Sequence, residues 1–123
     1  PTDENAEAMR KFFAHVDRPD GVCFLWEPRG KWPDELVRDL CRDCHLAHAV
    51  DPFVRRSVSP ELAYWRLHGN GSHYAVYSDQ ELARLIEWLT DAPETYVMFN
   101  NIPRVKDAQR FREMAESRGI TIG

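Results

Sequence analysis

Four short apolar runs constrain this chain more than any other feature: Val22–Trp26 (VCFLW), Leu46–Val50 (LAHAV), Ala63–Leu67 (AYWRL) and Thr95–Phe99 (TYVMF). Each has the length of a strand. The first lacks polar alternation, which predicts a strand buried on both faces, as in a parallel sheet, and the second reads as a short buried strand. Between the runs, apolar residues recur at helical spacing. Ala6, Met9, Phe12, Phe13 and Val16 mark a helix over 4–16, which Pro19-Asp20-Gly21 ends. Pro33 fits the first turn of a second helix, continued by Leu36, Val37, Leu40, Cys41 and Cys44. Residues 51–62 read as an irregular connection. Ser78 and Glu81 form a capping box ahead of Leu82, Leu85, Ile86 and Leu89. Ala108, Phe111, Met114 and Ala115 define the last helix, with Gly119 just past its end.

Strands that alternate with helices call for a parallel sheet joined by helical crossovers, so the fold class is α/β. A length of 123 residues makes 1–123 one segment with no separate second domain. Hydrophobic residues at 43% and charged residues at 29% place it among folded globular chains. A net charge of −4 argues against a nucleic-acid partner. No apolar window reaches the length of a membrane helix. The stretch PTDENAEAMRKFF is polar and acidic, without a signal-peptide layout, and three cysteines suit a reducing compartment. The expected location is cytoplasmic.

Cys41-Arg42-Asp43-Cys44-His45 matches C-x-x-C-H, the attachment pattern of a c-type haem. Cys41 and Cys44 nevertheless fall on the apolar stripe of the second helix, where they read as small core residues. A zinc site with His45 and His48 would have to span that helix and the next strand, without a second C-x-x-C. Burial is the expected role, and no cofactor or metal is expected.

Polar residues follow every strand. Glu27 and Arg29 come after the first, Asp51 after the second, Arg66 and His68 close the third, and Asn100 and Asn101 follow the fourth. In parallel α/β folds this edge is where ligands bind. Arg66 and His68 alternate on a strand and so share a face. Arginine suits bidentate binding of an anion, and histidine suits proton transfer near neutral pH. Glu27, Asp51 and His68 are also metal-ligand types, but Arg29 and Arg66 in the same mouth would oppose a cation and favour an anion.

The stretches WEPRGKW, AVDPF, YWRLHG, YSDQEL and VMFNNIP…DAQRF resemble, in this order, the C-terminal half of the YecE-like proteins, a family of unknown function. PTDENAEAMRKFF looks like that family's mid-chain helix, so the resemblance spans nearly the whole chain. It implies a (β/α)8 barrel of about 250 residues. This chain would supply the last four strands, about half of a TIM-type barrel, and would be completed by the N-terminal half of the same barrel or by a second copy. It also implies that the strand ends form the site.

The expected function is enzyme-like binding of a small anionic substrate at the barrel mouth. His68, Glu27 and Asp51 would move protons in hydrolysis, elimination or isomerisation. Arg29 and Arg66 would clamp the anion, Tyr74 and Tyr77 would cover it, and Asn100 and Asn101 would line it. The alternative is a non-catalytic binding or regulatory module for a phosphorylated metabolite or a nucleic-acid backbone.

Overall fold

The helices form where apolar spacing puts them, and local capping sets their ends. The computed structural model describes residues 1–59, 62–92 and 94–123. The elements are α1 (Asp3–His15), β1 (Phe24–Trp26), α2 (Asp34–Cys44), β2 (Leu46–Val50), β3 (Leu62–Leu67), α3 (Asp79–Leu89), β4 (Glu94–Phe99) and α4 (Arg104–Ser117). Thr2 caps α1, its Oγ1 accepting from the Asn5 N–H at 3.0 Å. Ser78 and Glu81 make the expected reciprocal capping box on α3. Pro33 is the N-cap of α2 rather than a residue of its first turn. Gly119, with φ +82°, ends α4. There the Gly119 N–H reaches the Glu116 carbonyl and the Ile120 N–H the Ala115 carbonyl, a Schellman motif.

The strands form one parallel sheet in the order β1-β2-β3-β4. Register pairs Trp26 with His48, Val50 with Trp65, and Tyr64 with Tyr96. One face of the sheet carries the helices. Phe24, Trp26 and Leu46 pack there with α1 and α2, through Ala6, Val37 and Leu40. Val50, Ala63, Trp65 and Leu67 pack with α3 and α4, through Leu82, Leu85 and Phe111. The opposite face is bare, so β1 is not buried on both sides as its sequence predicts. Leu25 is 43% exposed on that face, as are Tyr96 at 45% and Met98 at 42%. β2, flanked on both edges, is buried throughout, as predicted. β1 also starts two residues later than its apolar run, at Phe24.

The C-x-x-C-H stretch is the C-terminus of α2. Cys41 and Cys44 are buried free thiols in the α1–α2 core. His45 takes the left-handed conformation (φ 54°) that turns the chain straight into β2. Arg18 caps this helix end, donating to the Cys44 carbonyl at 2.8 Å and to that of His45, with its guanidinium 4.6 Å from the Phe24 ring centre. Among the described residues no three metal-ligating side chains gather, and no helix is long and apolar enough to cross a membrane.

Among the described residues no helix spans the β2–β3 crossover. Residues 51–59 run irregularly, as predicted, and positions 60 and 61 of that connection lie outside the described residues. This segment covers His48, which is fully buried on the helix-bearing face. The His48 Nδ1 accepts from the Val58 N–H at 3.1 Å, and Ser59 Oγ accepts from the His48 N–H at 3.2 Å. Burial, with the charge of Arg55, pushes the imidazole down to about 4. The folded state therefore holds His48 neutral while the unfolded state takes up a proton near pH 6.5. This contribution is fully present above about pH 6.5 and is lost as pH falls toward 4. Lowering pH from 7 to 5 should cost about 2 kcal/mol of unfolding free energy through this group. Urea denaturation of the wild type and His48→Gln at both pH values checks it, the variant losing most of that pH dependence.

Candidate functional site

Strand alternation carries Glu27, Asp51, His68 and Asn100 onto the bare face, just past the C-terminal ends of the four strands. Glu27 joins the cluster. Its Oε2 accepts from Arg66 Nη1 at 2.6 Å and its Oε1 meets His68 Nε2 at 3.1 Å. Partial burial pushes the Glu27 carboxyl up, but hydrogen bonds and charge from Arg66 and His68 outweigh this and hold it below its ordinary value. Glu27 is thus a carboxylate at neutral pH and can only accept. Neutral His68 must therefore carry its proton on Nε2, which leaves Nδ1 with a lone pair.

Asp51 is used differently. Its Oδ1 accepts from the Phe53 N–H at 3.0 Å, a local turn, and its Oδ2 accepts from the His68 N–H at 3.1 Å. Both oxygens hold backbone, so Asp51 positions His68 rather than meeting its ring. Gly69 completes that support. It has φ +100°, and a Cβ there would lie 2.1 Å from the Ser72 carbonyl oxygen, so only glycine fits. Its N–H donates to the Tyr77 hydroxyl at 2.7 Å.

The remaining candidates divide. The Arg29 guanidinium is exposed and has no partner among the described residues, while its carbonyl accepts from Trp32 Nε1 at 2.9 Å. Asn100 is exposed at the end of β4, its N–H continuing the ladder to the Leu67 carbonyl at 2.7 Å. Tyr74 is 69% exposed and lies against the His73 ring at 4.4 Å. Tyr77 points into the helix-side core instead, stacked on Phe53, and burial pushes its phenol up to about 12. Asn101 is also buried, on the other side of the chain from Asn100, donating to Asp107 at 2.8 Å and to the Ala75 carbonyl at 3.1 Å.

Sequence reasoning passed over two groups. Asp107 is fully buried and collects the Tyr77 N–H, Asn101 Nδ2 and Arg110 Nη1, tying the loop after β3 to α4. The i, i+3 spacing of Asp107 and Arg110 was its only signal. Tyr64 and Tyr96, paired in register with ring centres 6.3 Å apart, form an aromatic step on the bare face below Arg66. Alternation along β3 places Tyr64 on the face of Arg66, and that was the clue to it.

No protein-family model and no curated protein matches this chain. A crystal structure of a DUF72 family protein from Enterococcus faecalis is similar to it over 100% of this chain, with a TM-score of 0.72 and 20% identity. The chain spans 56% of that protein's length.

Two outcomes follow from the geometry. Nitrogen-15 NMR of the imidazoles should show neutral His68 with its proton on Nε2, a preference that Glu27→Gln weakens. Asp51→Ala leaves two partly buried N–H groups unpaired and should cost about 1–3 kcal/mol in denaturant unfolding. An Asp51→Ala protein as stable as the wild type would contradict the positioning role. The parallel α/β fold is what the chain shares with its structural neighbour.

Proposed function

We propose that this chain is the C-terminal half of a (β/α)8 barrel of the YecE-like kind, and that its rim binds a small anionic ligand and acts on it. The observation that carries the reading is the shared Glu27 carboxylate. It joins Arg66 and His68 at the C-terminal ends of β1 and β3, above a bare sheet face. Sequential parallel strands with helices on one face are the arrangement of a barrel wall, and sites in such barrels sit at this end. The structural neighbour, a DUF72 family protein with nearly twice this chain's length, supports the same reading.

The roles follow from the contacts. Glu27 uses one Arg66 nitrogen and fixes the guanidinium, leaving its other donors for an anion. Arg29, unpartnered among the described residues, supplies the second positive charge. The Glu27 carboxylate orients His68 by Nε2, so that Nδ1 takes the proton from a bound ligand. Asp51 holds the His68 backbone, and Asn100, exposed at the end of the neighbouring strand, supplies an amide to the rim. The positioned acid–base pair suits hydrolysis, elimination or isomerisation of a carboxylate or phosphate-bearing substrate.

A thermal-shift screen with inorganic phosphate, phosphosugars, dicarboxylates, short oligonucleotides and divalent metals tests the reading. A ligand at about 100 times its Kd should add about 2.7 kcal/mol and raise Tm by several degrees. The expected result is a rise with one anion class that Arg66→Ala abolishes. A rise with metals alone, or none with any anion, would overturn the anion site. Once a ligand is known, His68→Ala should keep binding and lose turnover. Loss of affinity alone would mark a binding module instead.

A further inference from the structure

Two residues on the bare face are enclosed although no helix lies over them. Ala47 and Ala49 of β2 point to that face, yet each is only 4% exposed. Leu25 and Tyr96, on the same face of the edge strands, are exposed. Side chains leaning in from β1 and β3 must therefore cover the two alanines. Register identifies them. Leu25 pairs with Ala47, so Glu27 comes level with Ala49, and Ala49 pairs with Tyr64. Val50 pairs with Trp65, so Arg66 comes level with Asp51, the next β2 residue after Ala49 on that face.

Glu27 stands just past β1, and its two partners belong to β3 and its end. Neighbouring strands lie about 4.8 Å apart, so the contacts must close across about 10 Å with β2 between. Arg66 Nη1 nevertheless reaches Glu27 Oε2 at 2.6 Å, and His68 Nε2 reaches Oε1 at 3.1 Å. Both contacts cross the strand of Ala49. Asp51, the other β2 side chain near the crossing, is turned aside, its oxygens taken by the Phe53 and His68 N–H groups. The way across lies over Ala49.

We infer that Ala49 is a positioning residue of the rim: its small side chain keeps open the lane over β2 by which Arg66 and His68 reach one carboxylate. The inference rests on the rim as the working site and adds to it a residue that touches no ligand. A longer side chain at position 49 would stand in the row between Glu27 and Tyr64 and push the carboxylate away from both partners. Ala47 differs in place alone. By the same register it lies one row lower, between Leu25 and Leu62, away from the crossing.

Two signals of the chain without ligand test this. Nitrogen-15 NMR of the imidazoles reads the His68 tautomer, and carbon-13 NMR reads the titration of the Glu27 carboxyl. Partial burial pushes that carboxyl up, and Arg66 and His68 hold it below its ordinary value. Ala49→Leu should move the titration upward and weaken the preference for a proton on His68 Nε2, as Glu27→Gln does. Ala49→Gly, which widens the lane, and Ala47→Leu, which adds the same bulk one row lower, should keep both signals. In a Glu27→Gln background, Ala49→Leu should change the tautomer no further.

An Ala49→Leu protein that folds and keeps the wild-type tautomer and Glu27 titration overturns the inference. An equal change in Ala47→Leu overturns it too, because it would mark general crowding of the face. If Ala49→Leu does not fold, Ala49→Val, smaller and suited to a strand, decides by the same two signals. Neither signal needs a bound anion. A wild type whose Tm rises with no anion would therefore sink the anion site and leave the lane over Ala49 standing. Unchanged signals in Ala49→Leu would remove the lane and leave the anion site standing.

Discussion

Parallel strands cannot be joined by a hairpin, and every crossover must return over a face of the sheet. In this chain all the helices return over one face, and the rest of the structure depends on that. The helix-bearing side becomes two apolar cores, one built by α1 and α2 and the other by α3 and α4. The other side keeps its alternate residues free of helices. Small Ala47 and Ala49 on β2 lie beside tall Tyr64 and Tyr96 on β3 and β4, and the polar rim stands past the strand ends on the same face. The site and the bare surface thus have one cause.

The rim is held from beneath as firmly as it is joined on top. Glu27 links Arg66 and His68 by side chains, while Asp51 and Gly69 fix the backbone that carries His68. The Tyr77 hydroxyl receives the Gly69 N–H, and the Tyr77 backbone in turn rests on Asp107, which also holds Asn101 and Arg110. Hydrogen bonds and the chain between them therefore link the loop after β3 to the first turns of α4.

Several residues that look functional in sequence serve this support instead. Tyr77 and Asn101 are polar residues in loops after strands, which made them candidates for the rim. Each turns into the core because its neighbour in the chain faces the opposite way, and the core supplies its partners. Asp51 stands at the rim but spends both oxygens on backbone donors. Cys41, Cys44 and His45 spell a haem pattern because a helix end needs small apolar residues on its buried stripe and a residue able to turn left-handed. The same letters serve a different purpose because their spacing is read along a helix.

The sequence by itself determined the element order, the α/β class, the capping box of α3 and the Gly119 stop, since these depend on spacing and capping within a few residues. It also placed Glu27, Arg66 and His68 on one edge, because alternation along parallel strands is a local rule. Tertiary structure decided the rest. Whether an apolar run is buried on both faces depends on what covers it, so β2 met the expectation and β1 did not. Whether a polar side chain at a strand end faces the mouth or the core depends on distant partners: Glu27 lies 39 residues before Arg66, and Asp107 lies 30 after Tyr77. Such pairings are made in space, and no local pattern encodes them.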